Sequence, residues 1–263
     1  MGKQTSEKAP DGQRQMAAHP VEVRIPCGNV NLYGDLSKPV GFSGLVLFAH
    51  GSGSGRHSAR NRQVARALQA AGIATLLFDL LTAEEEQIDI HTREHRFNIS
   101  LLTQRMQDAT LWMLSQKEFK TAPIGFFGAS TGSAAALIAA ARLGPKVAAV
   151  VSRGGRPDLA GPVVLASLKA PTLLIVGGAD HAVIALNEDA FVHLQCEKQM
   201  AIVPRATHLF EEPGALEQVC TLAVAWFTRH LQPTSHEEAA LAADHASQPA
   251  RATVAHTGRE SLR

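Results

Sequence analysis

Ile124-Gly-Phe-Phe-Gly128-Ala-Ser130-Thr-Gly132-Ser-Ala-Ala-Ala136 reads as an apolar strand that runs through G-x-S-x-G directly into an alanine-rich helix. A serine at such a junction occupies a very tight turn, where side chains two residues to either side would collide, and Gly128 and Gly132 remove them. The helix that follows aims its first N–H groups at the serine, so negative charge forming there would be stabilised. The plainer alternative is that Ser130 only caps an ordinary helix.

Outward from this turn, short apolar runs alternate with helical patterns. Residues 21–25 and 31–36 read as a hairpin around Gly28-Asn29. Residues 45–49, 74–78, 124–127, 148–151, 172–176 and 199–203 read as further strands. Several are unbroken apolar stretches, as expected where both faces of a parallel sheet are covered. Between them, Val64, Leu68 and Ala71 share a face within 58–71, with Gly72 as the stop. Ile99, Leu102, Met106, Ala109 and Met113 form a stripe within 93–116, and 133–143 is almost all small apolar residues. Leu216, Val219, Cys220, Ala223 and Phe227 mark a last helix entered through Pro213-Gly214. The expected fold is α/β: a mostly parallel central sheet of about eight strands with helices on both faces. The folded body spans 19–232, and residues 1–18 and 233–263, polar and without a sustained apolar face, read as disordered ends.

A serine hydroxyl attacks poorly until a base takes its proton and a carboxylate orients that base. Thr172-Leu-Leu-Ile-Val-Gly-Gly-Ala-Asp180 places Asp180 just past a strand end, on the same edge as Ser130. Met200-Ala-Ile-Val-Pro-Arg-Ala-Thr-His208 places a histidine before the final helix. Ser130, Asp180 and His208 are the candidate nucleophile, acid and base; taken singly, Asp180 could be a helix cap and His208 a polar loop residue. The strand 45–49 ends in His50-Gly-Ser-Gly-Ser-Gly55, whose small residues let backbone N–H groups approach a substrate oxygen. The N–H groups of Ser52 and Thr131 are assigned to that oxyanion hole, with Gly53 as the alternative to Ser52.

The 25 basic residues nearly cancel the 24 acidic ones, which favours neither nucleic acid nor an anionic membrane as partner. The N-terminal stretch lacks the apolar core of a secretory signal, and no apolar run reaches the roughly 18–20 residues of a membrane span. Cys27, Cys196 and Cys220 show no C-x-x-C pairing and fit reduced thiols, so a soluble, cytoplasmic protein is expected.

His50-Gly-Ser-Gly-Ser-Gly-Arg-His-Ser, Gly128-Ala-Ser-Thr-Gly, Val176-Gly-Gly-Ala-Asp180 and Ala206-Thr-His208-Leu-Phe-Glu-Glu-Pro-Gly together resemble the α/β-hydrolase superfamily, and within it the dienelactone-hydrolase-like group. The order Ser, Asp, His is the one that family uses. The resemblance implies hydrolysis of a small-molecule ester or lactone through an acyl-enzyme, without a cofactor; separately, no metal is expected, and a monomer or homodimer is. Acyl transfer or thioester cleavage on the same triad is the alternative, and a hydrolase-like protein that only binds a ligand is another. Dienelactone hydrolases proper use cysteine where this chain has Ser130, which shifts the expectation towards a carboxylesterase. The short connection between 151 and 172 leaves no room for a large lid. Arg153 and Arg156 beside it read as surface charge, with recognition of an acidic substrate group as the alternative.

Two other patterns compete. Gly51-Ser-Gly53 after a strand, with Asp79 ending the next, has the outline of a dinucleotide site, but Arg56 stands where a third glycine is needed. His91-Thr-Arg-Glu94-His95 matches an inverted zinc motif, which needs both histidines on one helical face; solvated polar residues are the default reading.

Overall fold

The structure is a computed structural model and describes residues 19–232. β1 (Val21–Cys27) and β2 (Val30–Ser37) form the hairpin, with Gly28 at φ 58° in the turn. Then come β3 (Leu45–Ala49), α1 (Ala59–Ala70), β4 (Ala74–Phe78), α2 (Ala83–Thr92), α3 (Ile99–Ser115), β5 (Ile124–Ala129), α4 (Thr131–Leu143) and β6 (Val147–Arg153). α5 (Pro162–Ser167), β7 (Thr172–Gly177), α6 (His181–His193), β8 (Lys198–Val203) and α7 (Ala215–His230) complete the body. The strands form a single sheet of eight in the order β1-β2-β4-β3-β5-β6-β7-β8. β2 runs antiparallel to β1 and β4, while β3 to β8 are mutually parallel.

Alternation along the strands fills two cores. Leu45, Leu47 and Ala49 of β3 and Phe126 of β5 face α3 and α4 with Leu102, Met106, Ala109 and Leu137. Val46, Phe48 and Phe127 face α1 and α7 with Val64, Leu68, Val219 and Phe227. Each such side chain, fully buried, contributes about 1.5–3 kcal/mol. Gly125 is a packing requirement: a Cβ there would lie 2.6 Å from the Phe227 ring.

The topology fixes where a site can form. From β3 the chain steps to β4 on one side, then returns to β5 on the other, and the helices that follow β3 and β5 cover opposite faces. A crevice therefore opens past the carboxyl ends of β3 and β5, at the point where the strand order reverses. The expected strands all form, most of them one to two residues longer. The helix expected over 93–116 starts only at Ile99, and a separate helix, α2, precedes it. No helix among the described residues is long and apolar enough to cross a membrane. The two polar ends, 1–18 and 233–263, lie outside the described residues.

Candidate active site

Ser130 sits between β5 and α4 at φ 50° and ψ −124°, a conformation that strains any side-chain-bearing residue by about 1–3 kcal/mol. Its amide donates to the Arg153 carbonyl on the neighbouring strand (3.3 Å), and its carbonyl accepts from the Ser133 hydroxyl (2.7 Å). The Ser130 side chain makes no capping bond to α4, so the plain capping role is not what holds it there. The glycines act as the sequence suggests. A Cβ on Gly132 would lie 2.3 Å from the Ala49 carbonyl oxygen, and one on Gly128 2.4 Å from the Ser133 Cα.

Asp180 begins α6 without capping it; its carboxylate instead accepts a hydrogen bond from His208 Nδ1 at 2.7 Å. The Asp180 side chain is 15 % exposed and the His208 side chain 40 %, so the carboxylate is sheltered while the imidazole remains reachable. Gly154, directly after Arg153, is close beneath the ring: a Cβ there would lie 3.6 Å from His208 Cε1. Ser130, through its backbone, and His208, through Gly154, thus both lie against the end of β6, with no hydrogen bond between their side chains among the described residues.

The loop after β3 packs onto the serine turn, where a Cβ on Gly51 would come within 3.1 Å of Ser130 Cβ. Its Ser52 N–H donates to the Thr131 hydroxyl at 3.1 Å, latching the loop to the start of α4. The Thr131 N–H opens α4 and has no acceptor among the described residues. His50 anchors the loop from below. Its Nε2 accepts from the Leu80 amide at 3.0 Å and its Nδ1 contacts the Gly51 carbonyl at 3.1 Å. Burial pushes the His50 pKa below its ordinary value, against the opposing pull of the Gly51 carbonyl and of Asp79, so the ring is held neutral.

Both competing patterns are used otherwise. Asp79 accepts from the Arg56 amide at 2.8 Å and pairs with its guanidinium at 3.3 Å, so it serves its own loop instead of a ribose. α2 ends at Thr92 and Arg93 turns at φ 60°, which cuts the His91–His95 pattern and keeps the two histidines off a common helical face. The surface reading of the two arginines fails for one of them. Arg156 is paired through two hydrogen bonds of 2.8 Å with Asp158, whereas Arg153 is 6 % exposed. Desolvation, helped by nearby Arg60, lowers the Arg153 guanidinium to about 10.

Residues that the motifs did not single out also shape the site. Asp89, fully buried on α2, accepts from the His95 and Arg96 amides and pairs with the Arg96 guanidinium. Asn187 of α6, equally buried, donates to the Gly155 carbonyl at 3.0 Å and so ties the turn after β6 to the helix that begins at Asp180. A polar side chain within a helix is weak evidence on its own, and no sequence signal marked Asn187 or Asp89.

A doubly wound sheet with a strained serine past one strand, and an aspartate–histidine pair past the next ones, defines the α/β-hydrolase class. The chain belongs to the alpha/beta hydrolase domain family, which it matches over residues 43–221. A crystal structure of a dienelactone hydrolase from Anabaena variabilis is 57 % identical, with a TM-score of 0.79, over 81 % of this chain and all of that one. Est1E from Butyrivibrio proteoclasticus shares the fold at 14 % identity, with a TM-score of 0.67 over 80 % of this chain and 98 % of its own. A Mycobacterium tuberculosis protein named "Putative phosphoribosyl transferase" is 55 % identical over 210 residues, 80 % of this chain and 46 % of that protein. The chain therefore spans about half the length of the curated relatives it matches.

Proposed function

We propose that the protein hydrolyses small carboxylic esters or lactones through an acyl-enzyme, with Ser130 as nucleophile, His208 as base and Asp180 as its orienting acid. The observation that carries this is the 2.7 Å bond between His208 Nδ1 and Asp180, formed beside a serine held at positive φ. With Nδ1–H committed to the carboxylate, Nε2 is the basic nitrogen. It takes the Ser130 proton as the oxygen attacks the ester carbonyl. The Thr131 N–H, and the Ser52 N–H once it turns from the Thr131 hydroxyl, stabilise the oxyanion. His208 then returns the proton to the leaving alkoxide, and the same steps with water release the acid.

Hydrolysis is favoured over transfer to another acceptor by the exposure of the imidazole, which lets water reach it. The connection 154–171 holds only a short 3-10 turn and the six-residue α5, which supports an open site for small substrates over a lidded one. The dienelactone hydrolase name of the Anabaena relative agrees with this reading. The transferase name belongs to proteins of which the matched part is only 46 %, and the present reading rests on residues within the shared part. The cysteines form no disulfide, which supports a reducing, cytoplasmic setting; the body 19–232 works as a monomer or homodimer.

Replacing the nucleophile tests the reading. Ser130→Ala is expected to lose at least about 10³-fold in kcat on p-nitrophenyl acetate with an unchanged circular dichroism spectrum, because only transition-state chemistry is removed. Activity within tenfold of wild type would exclude Ser130 from the role.

A further inference from the structure

Arg153 ends β6 with a side chain buried against α1 and the loop before α7. No carboxylate lies within ion-pair distance of it among the described residues, and its Nε is enclosed without an acceptor. Nη2 donates to Asn61 Oδ1 of α1 at 3.3 Å, and the guanidinium carbon stands 5.7 Å from the centre of the Phe210 ring. A cation kept inside without a counter-ion costs more than an apolar side chain of similar size, so stability does not account for it.

Its connections do. Phe210 lies two residues past His208, fully buried at φ 57°, and Arg205 on the other side has φ 61°. A bulky residue keeps a left-handed backbone only where its surroundings hold it there. One surface holding the Phe210 ring is the Arg153 guanidinium; another is the next residue, since a Cβ on Gly154 would lie 3.3 Å from that ring and 3.2 Å from the His208 carbonyl oxygen. The Arg153 carbonyl meanwhile receives the Ser130 amide. One residue thus touches the serine turn through its backbone, the histidine loop through its side chain, and the helix that follows the oxyanion loop through Asn61.

We propose that Arg153 is a positioning residue that sets His208 against Ser130 by bracing Phe210. The proposal rests on the reading of Ser130 and His208 as nucleophile and base. Its test is the rate of Ser130 phosphonylation by an alkyl fluorophosphonate, which needs both groups and no knowledge of the natural ester. In Arg153→Met, which keeps an unbranched apolar stem and removes the charged fork, the maximal inactivation rate is expected to fall about tenfold or more. The half-saturating concentration should be unchanged, and Tm level or raised. A packing role would instead lower Tm and leave the rate of the folded protein alone. Should Arg153→Met fail to fold, Asn61→Leu removes only the anchor of the guanidinium on α1 and carries the same threshold. A smaller fall in the folded variant, or one carried by the half-saturating concentration, overturns the proposal. Wild-type protein that is not labelled fails at an earlier step and refutes the reading of Ser130 itself.

Discussion

Gly132 shows how little freedom a single position can have. The two nearest atoms that its Cβ would meet, the carbonyl oxygens of Ala49 and His50 at 2.3 and 2.4 Å, belong to the backbone and cannot swing aside. Gly132→Ala must therefore push β3 and its loop away from α4, which costs about 3 kcal/mol by the usual scale of overpacking. The same displacement pulls the Ser52 amide off the Thr131 hydroxyl. Urea denaturation should record the lower midpoint, and ester turnover should fall further than stability does. Ser130 and its two glycines were legible in sequence because the turn leaves few residue types that fit. Arg153 was not: its neighbours Asn61 and Phe210 are distant in sequence, and an arginine in a glycine-rich segment has the pattern of surface charge until those partners close over it.

Among the elements, α2 departs most from a hydrophobic reading. Its ten residues bury only Asp89, so no apolar stripe announces it. What starts it is a capping box: the Thr82 hydroxyl accepts from the Glu85 amide at 3.2 Å, and the Glu85 carboxylate accepts from the Thr82 amide at 2.8 Å. Glu85 also receives Arg105 of α3 at 2.8 Å, joining the two helices. Thr82→Ala should cost about 1 kcal/mol, seen as a lower urea midpoint with an unchanged m-value. The Thr82-Ala-Glu-Glu85 pattern was a usable start signal in the sequence, and only the weight given to apolar periodicity hid it. Strands fared better, because a stretch covered on both faces must be apolar throughout, and turns of glycine and proline mark its ends. The places of Asp180 and His208, which the structure pairs, were legible for the same reason: each follows an unmistakable strand. The latch between Ser52 and Thr131 was not, since it depends on how two loops meet across the crevice.

At the scale of the molecule, His50 couples acidity to stability. Folded, its pKa lies below the ordinary 6.5, chiefly through burial. Just below pH 6.5 the unfolded chain therefore takes up a proton at this position while the folded chain does not. Stability is complete above that pH and declines as pH falls towards the folded pKa. His230, lowered mainly by burial as well, adds in the same direction. Thermal melts between pH 8 and 5 should show Tm falling below about 6.5, and His50→Gln, whose amide can still accept from Leu80, should flatten part of that slope. An unchanged slope in the variant would assign the decline to other groups.

The order in which the strands supply the site has a consequence for synthesis. A ribosome extrudes the serine turn first, the aspartate later and the histidine last of all, on the loop just ahead of the closing helix. Until that loop is out, the emerging polypeptide carries Ser130, the proposed nucleophile, without His208, its proposed base. On the proposed roles, a copy that stops short of that loop holds the nucleophile without its base, and the two can meet only after the chain through His208 has left the ribosome.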